Sequence, residues 1–338
     1  MILVTGGTGL VGAQLLYDLT LAGKKVRALR RNTSTDNILN MVFSEKLFLK
    51  SNIEWVEGNV TDVHDVLEAM QGIEEVYHCA AKVSFHSSEY KQIMKVNVEG
   101  TANMVNMAME AGVKKFCHVS SIAALGRVEE NKVMNEQVMW KSSKHNSMYA
   151  VSKYSGEREV WRAMEEGLNA VIVSPAIIIG AGDWKTGSSS MFRQVYKGMK
   201  YYSHGVNGFV DARDVTYAMR MLMEKNISGQ RYIISAENRT YQEIFNMIAD
   251  SFHKPRPTIK VNGTLSELGW RAEAMRSFFL NRIPFITKET ARNSQNKWFY
   301  TSEKIIKALG NFFTPLQKAV EDTSALFLQF QGQAEKKS

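Results

Sequence analysis

A tyrosine followed four residues later by a lysine can serve as a proton donor with a charged neighbour, because residues four apart on an α-helix share a face. The chain carries this spacing three times, at Tyr149/Lys153, Tyr196/Lys200 and Tyr300/Lys304. Spacing alone cannot choose among them. Tyrosine is a weak acid with an ordinary pKa near ~10, and a nearby ammonium favours its phenolate form. The surroundings of each pair must therefore decide. KKFCHVSS (114–121) places two hydroxyls at the end of an apolar run ahead of Tyr149, and no such strand-end serine precedes the other two pairs.

A second constellation is VTGGTGLVG (4–12). Gly7, Gly9 and Gly12 fit G-x-G-x-x-G, while Gly6, Gly9 and Gly12 fit the wider G-x-x-G-x-x-G. In either register the glycines permit a tight turn and let the backbone approach a pyrophosphate at the positive end of the next helix. The stretch follows a short apolar run and opens an apolar-faced helix, which is the context that gives the motif meaning. Gly6, Gly7, Thr8, Gly9, Leu10, Val11 and Gly12 are the candidate cofactor contacts of this loop.

The end of the second strand selects between cofactors. An acid roughly twenty positions past the glycines would bind the ribose 2′-hydroxyl of NAD, whereas arginine suits the 2′-phosphate of NADP. The chain reads VRALRRNTS, with Arg30 and Arg31 at that point and no acid until Asp36. NADP(H) is favoured, and NAD(H) stays open.

These residues need a scaffold that brings strand ends together. MILVT, KVRAL, IEWV (53–56), EEVYHCAA (74–81) and KKFCHVSS are short apolar strands. Between them lie LVGAQLLYDLTLAG, closing on Gly23, a polar segment with a helix, a helix over DVHDVLEAM and a long amphipathic stretch from Tyr90 to Gly112. Such alternation predicts right-handed βαβ crossovers and a parallel sheet covered on both faces. NAVIVSPAIIIG reads as a sixth strand after the helix bearing Tyr149. Beyond it come a loop over 180–190, a helix over 209–225, a strand at QRYIIS (230–235) and a mostly helical remainder with a loop at KPRP (254–257) and another around Pro284. The expected division is a nucleotide-binding domain over 1–179 and 209–236, a substrate-binding part over 180–208 and 237–330, and a flexible tail over 331–338.

Composition narrows the function classes. At 338 residues, 44% hydrophobic and 22% charged, the chain reads as ordinary globular protein. Cys79 and Cys117 sit in apolar runs and read as reduced thiols. The formal charge of +8 is dispersed, with no basic run or Cys/His module, so nucleic acid is not an expected partner. Met1 leads straight into ILVTGG, and the longest apolar run is too short for a span. A cytoplasmic, soluble protein with no membrane partner is expected. The seven histidines show no metal-ligand spacing, so no metal is expected either. RSFFLNRIPF (276–285) reads as a core or pocket wall rather than a membrane patch, and Trp140 and Trp184 as candidates to line a substrate pocket.

With the glycine loop, the strand-end serines and YAVSK in hand, the chain resembles an extended short-chain dehydrogenase/reductase over nearly its whole length. EGNVTD (57–62) looks like the family's third-strand end, where Asn59 and Val60 would flank the adenine; relatives often carry aspartate at the position of Asn59. YHCAA (77–81) resembles the fourth-strand signature, with Ala80 and Ala81 along the cofactor. VNVEGT (96–101) matches the helix carrying Asn97. PFITKETAR and YTSEKIIKALG resemble the tail of the dihydroflavonol-reductase-like and 3β-hydroxysteroid-dehydrogenase-like branch. The resemblance implies a doubly wound Rossmann fold with a smaller, mostly helical C-terminal substrate domain.

It also implies roles. Tyr149 becomes the general acid/base, Lys153 its helper and a holder of the nicotinamide ribose, and Ser121, by the S-x-A-x-x-G pattern, the donor to the substrate oxygen. Ser120 is expected to pack or bond locally. Asn97 is assigned either to a water relay beside the lysine or to a structural helix bond. Pro175 through Ile178 should pass the nicotinamide carboxamide, although Ser174-Pro175 replaces the Arg-Pro of many relatives. Ile122 and Ala123 stand where sugar-nucleotide dehydratases carry Asp-Glu, which argues against elimination chemistry. The methionine-rich helix 102–112 fits a buried face and could also pair in a homodimer, as in relatives. The expected activity is NADP(H)-dependent hydride transfer between nicotinamide and a carbonyl or alcohol substrate. A nucleotide-sugar epimerase holding NAD tightly is the alternative, and a non-catalytic NADP-binding sensor the third reading.

Overall fold

The computed structural model describes residues 1–126, 132–143, 146–261 and 294–335. The first half runs β1 (Ile2–Thr5), α1 (Leu10–Leu21), β2 (Val26–Arg30), α2 (Asn37–Val42), β3 (Ile53–Glu57), α3 (Val63–Ala69) and β4 (Glu75–His78). One long helical stretch follows in three parts: α4 (Tyr90–Met94), a π-helical turn (Lys95–Glu99) and α5 (Gly100–Glu110). Then come β5 (Lys115–Val119), the two-residue β6 (Val133–Met134), α6 (Met148–Glu165) and β7 (Ala170–Pro175).

Beyond β7 the elements are β8 (Ile177–Ile179), α7 (Ser190–Tyr196), β9 (Tyr201–Tyr202), β10 (Val206–Asp211), α8 (Ala212–Glu224) and β11 (Gln230–Ile234). These are followed by β12 (Glu237–Thr240), α9 (Tyr241–Ser251) and β13 (Ile259–Lys260). After the undescribed stretch come β14 (Phe299–Tyr300), α10 (Glu303–Leu309) and α11 (Leu316–Glu335).

Seven strands pair in parallel in the order β11-β7-β5-β4-β1-β2-β3. The strands are apolar on both sides because helices cover both faces. One face packs Leu15, Leu16 and Leu19 of α1 with Val215, Met219 and Leu222 of α8. The other packs Met104 and Val105 of α5 with Val160 and Ala163 of α6, so the methionines of α5 do face a core. Each fully buried aliphatic side chain contributes about 1.5–3 kcal/mol. The order reverses between β1 and β4, whose registers pair Thr5 with His78. Ligands of open α/β sheets bind outside the carboxyl ends of the strands at such a switch point.

The expected sixth strand divides in two. Pro175 ends β7 in the large sheet, whereas Ile177–Ile179 pairs with Phe209–Asp211 in a separate sheet of order β12-β10-β8. Proline removes a donor from the ladder, so the chain can change sheets there. Phe209–Asp211, read from sequence as the start of a helix, is the end of β10; helix α8 begins only after the Asp211 side chain caps the Arg213 amide. The span 209–236 therefore contributes β10 to the small sheet and β11 to the large one. The second part is helical around this sheet, with Phe192, Phe209, Ile244, Ile248, Phe252 and Phe327 as its core. Helix α11 runs through Glu335, into the stretch expected to be a flexible tail. RSFFLNRIPF and PFITKETAR lie outside the described residues. No helix among the described residues is long and apolar enough to cross a membrane.

Candidate active site

Gly6, Gly7 and Gly12 of the loop leave no room for a side chain. Gly6 has φ +71°, and a Cβ there would lie 2.6 Å from the Ala80 nitrogen. A Cβ on Gly12 would collide with the Gly6 carbonyl oxygen, and one on Gly7 with the Leu16 side chain. The Gly9 amide closes the turn on the Gly6 oxygen at 2.9 Å. Gly9 is also the N-cap of α1 and brings no side chain to the first-turn amides, which are the orphan donors of any helix start. A turn this tight, opening on the positive end of a helix, fits the pyrophosphate of a dinucleotide.

The neighbouring strand ends continue this surface. Ala80 donates its amide to the buried Thr5 hydroxyl at 3.3 Å, and Ala81 is exposed beside it. At the end of β2, Arg30 lies 4.6 Å over the Trp55 ring and 3.2 Å from Asp36. Asp36 is shared with Lys50 at 3.5 Å, so the nearest acid after β2 is already engaged by two cations. Arg31 is exposed. Asn59 is held by its own turn, its amide donating to Asp65 at 2.8 Å and its side chain accepting from Thr61. Val60 is buried against Gly100. Pro175 is buried at the end of β7; the carbonyl of Ile178, on β8, accepts from Ser188 at 2.6 Å.

The three Tyr-x-x-x-Lys pairs separate cleanly. Tyr196 is packed against Phe252 and Phe327, with Lys254 over its ring. Tyr300 is buried, and Lys304 donates to the Arg231 carbonyl at 2.9 Å. Tyr149 instead faces a strand-end hydroxyl ahead of its own helix: Ser121 hydrogen-bonds its phenol. Ser147 caps α6 by accepting from Ala150 at 2.8 Å, which sets where the helix starts and so where Tyr149 stands. Lys153, one turn later and 3% exposed, donates from Nζ to the Val119 carbonyl at 2.7 Å. Gly156 lets α6 approach the π turn so closely that a Cβ would collide with the Asn97 carbonyl.

The electrostatics differ from the simple expectation of a lysine-acidified tyrosine. Tyr149 is half-buried, and the dense protein around its hydroxyl pushes the phenol above its ordinary value, against the opposing hydrogen bond from Ser121. Burial drives Lys153 down to about 8, with Glu157 and then Cys79 pulling it back up. Desolvation disfavours whichever form is charged, and it is the largest effect on each of the two residues. At neutral pH the pair is a protonated phenol beside an ammonium.

Ser120 and Ser121 face different partners. Ser120 donates to the Glu157 carboxylate at 2.5 Å, while the Ser121 oxygen accepts from the Ala123 amide at 3.1 Å and meets Tyr149. Asn97 is 2% exposed, and its amide is committed to structure. Its Oδ1 accepts from the Lys82 amide at 2.7 Å, and its Nδ2 donates to the Lys82 carbonyl at 3.0 Å and to Ser152 Oγ at 2.9 Å. Ser152 passes the bond on to the Tyr149 carbonyl at 2.8 Å. Asn97 thus ties the loop after β4 to the helix that carries Tyr149.

Two contacts were not visible in the sequence. Phe85, on the loop held by Asn97, sets its ring edge-on to Tyr149 with centroids 5.6 Å apart. Glu157 joins Lys153 on the same face of α6, and only its i+4 spacing could have flagged it. Trp140 stacks flat on Tyr154 at 4.4 Å. Trp184 packs edge-on against Phe192 and Phe327 in the apolar core of the second part.

The chain as a whole has known relatives. The chain is similar to sterol demethylase protein B of Methylococcus capsulatus, with 28% identity over 329 residues covering 96% of this chain and 97% of that protein. It is 26% identical over 299 residues to a 3-beta-hydroxysteroid dehydrogenase of Mycolicibacterium neoaurum, covering 80% and 76% of the two chains. Among solved structures, that of gox2253 superposes with a TM-score of 0.81 at 30% identity, covering 98% of each chain. Residues 2–235 match the NAD dependent epimerase/dehydratase family, and the chain belongs to that family, an NAD(P)-binding oxidoreductase on a Rossmann fold.

Proposed function

We propose that this member of the NAD dependent epimerase/dehydratase family is an NADP(H)-dependent carbonyl reductase or alcohol dehydrogenase, with Tyr149 as its general acid/base. The observation that carries this reading is Tyr149 hydrogen-bonded to Ser121 one helical turn before a buried Lys153. The names of two relatives, a sterol demethylase protein and a steroid dehydrogenase, support an apolar alcohol or ketone as the substrate class.

Gly6 to Gly12 would hold the pyrophosphate, and Arg30 with Arg31 the 2′-phosphate. Asn59 and Val60 would flank the adenine, Ala80 and Ala81 would run along the cofactor, and Lys153 would hold the nicotinamide ribose. Pro175 to Ile178 would pass the carboxamide. The bound nicotinamide supplies or takes the hydride.

The remaining work is done by side chains of the chain itself. Ser121 donates to the substrate oxygen as negative charge develops there. Tyr149 delivers its phenolic proton to the same oxygen, and a positioned acid of this kind contributes typically about 10²–10⁴ in rate. Lys153, held at the Val119 carbonyl, supplies the positive charge that stabilises the phenolate left behind. Phe85 shields one side of the phenol from water. In the oxidative direction the same groups run in reverse.

A paired titration of the purified protein with NADPH and NADH, followed by a carbonyl-substrate screen, tests this reading. Freely exchanging NADPH bound in preference to NADH, with turnover on a ketone, supports it. Tightly retained NAD with little response to NADPH sinks it and favours an epimerase that returns the hydride to the same substrate.

A further inference from the structure

Directly behind the candidate site runs a buried chain of polar groups. Ser120 Oγ donates to Glu157 Oε2 at 2.5 Å. Glu157 Oε1 accepts from Arg231 Nη1 at 2.8 Å and from Trp161 Nε1 at 3.0 Å. Arg231 continues to the Glu136 carbonyl at 2.5 Å, and the Glu136 carboxylate accepts the Ile233 amide at 2.9 Å. Glu157 is 1% exposed. A carboxylate so far from water persists as an anion only where it is paired and hydrogen-bonded, and these three donors meet that condition.

The placement is specific. Tyr149, Lys153 and Glu157 follow one another at four-residue intervals on one face of α6. Ser120, clamped by Glu157, adjoins Ser121, and its amide also donates to the Val173 carbonyl at 2.7 Å. The groups facing Lys153 come from three elements. Glu157 and Tyr149 share its helix; His78 and then Cys79 lie at the end of β4; His118 and the Val119 carbonyl lie on β5. Both histidines are held neutral by burial, and burial pushes the Cys79 thiol up to about 12. Among these described residues, Glu157 brings the carboxylate to Lys153's surroundings. Facing Glu157 itself are Arg231, Trp161 and Ser120, with Glu136 beyond the guanidinium. A buried ion pair of this kind is often no more stabilising than apolar packing.

Resting on the reductase reading above, we propose that Glu157 is a positioning residue for the Tyr149 acid. Its carboxylate faces the same side of α6 as Lys153, one turn before it, and, through Ser120, fixes the strand end that presents Ser121. Glu157 touches neither substrate nor the reacting atoms; it acts through Lys153 and Ser120.

The test is an NMR titration of the full chain labelled at lysine Cε, with the Lys153 signal assigned by its loss in Lys153→Arg. Glu157→Gln is expected to lower the Lys153 midpoint by roughly one pH unit, whereas Glu157→Asp, which keeps the charge, leaves it near the unmutated value. The alkaline limb of kcat/KM for carbonyl reduction moves with the midpoint. Ser120→Ala keeps the midpoint but lowers kcat several-fold. An unmoved Lys153 midpoint in Glu157→Gln overturns the proposal. Should that variant not fold, the unmutated protein decides: the Glu157 Cδ signal must show a step at the Lys153 midpoint, and its absence is equally fatal. The titration needs no substrate, so its outcome is independent of whether the protein reduces carbonyls.

Discussion

Lys153 reaches from helix α6 to the last carbonyl of strand β5, its Nζ donating to the Val119 oxygen at 2.7 Å. The contact fixes the helix against the strand end and places an ammonium where water is excluded. Burial lowers Lys153 to about 8 in the folded chain, against an ordinary lysine near ~10.4. The sign of the linkage follows. Between these two values the unfolded chain binds more protons than the native one, so this group makes stability rise with pH across the window. Denaturant unfolding of the unmutated protein and Lys153→Met at pH 7.5 and pH 10 should show the unmutated protein gaining on the variant at the higher pH. Parallel changes in the two proteins would contradict the buried-ammonium reading. Carbonyl reduction should also decline above about pH 8 as the ammonium is lost.

Arg30 and Arg31 are the proposed readers of the 2′-phosphate. A hydrogen bond to a charged group contributes about 1.5–3 kcal/mol, so the double change Arg30→Ala/Arg31→Ala should weaken NADPH binding by about 10- to 100-fold. NADH affinity should change by less than about threefold, because it lacks the phosphate those side chains address. Fluorescence titration with both cofactors reads this, and equal losses for the two would remove the arginines from the account.

Gly12 packs its α-carbon against the turn at Gly6, and a Cβ there would meet backbone rather than a side chain that can swing away. Gly12→Ala should therefore push the helix start off the loop. Overpacking of this kind costs about 1–3 kcal/mol, visible as a lowered unfolding midpoint, together with loss of measurable cofactor binding. Unchanged cofactor affinity would show that the dinucleotide does not use this loop.

Asn97 clamps Lys82 through its backbone on both sides and reaches Ser152 as well. Asn97→Ala leaves buried polar groups unpaired, at about 1–3 kcal/mol for such a group. It also frees the loop that holds Phe85 against Tyr149. The expected kinetic signature is a lower kcat with cofactor affinity retained, measured by steady-state turnover beside a cofactor titration.

Local pattern carried much of the fold. The strand–glycine–helix unit and the alternation of strands and helices are written in neighbouring residues, and the sequence reading of them holds. What it missed depends on partners far along the chain. Ile177–Ile179 reads as a continuation of Val171–Pro175, and only its pairing with Phe209–Asp211 places it in another sheet. Tyr149 was distinguished from its two look-alikes by a serine at a strand end, a signal that sequence does carry. The Ser120–Glu157–Arg231 chain was out of reach because its members lie 37 and 74 residues apart. The upward pull on the Tyr149 phenol was missed for a related reason: burial is a property of the assembled site, not of a four-residue spacing.

The central claim is that Tyr149 gives the proton that accompanies hydride transfer. Tyr149→Phe keeps the ring packed against Phe85 and removes only the hydroxyl. Turnover on a carbonyl substrate, measured beside NADPH binding in the same preparations, is the direct test. The account predicts a fall in kcat of about 10²–10⁴ with NADPH affinity unchanged within about twofold. Turnover within about threefold of the unmutated enzyme, with the cofactor still bound, would contradict it.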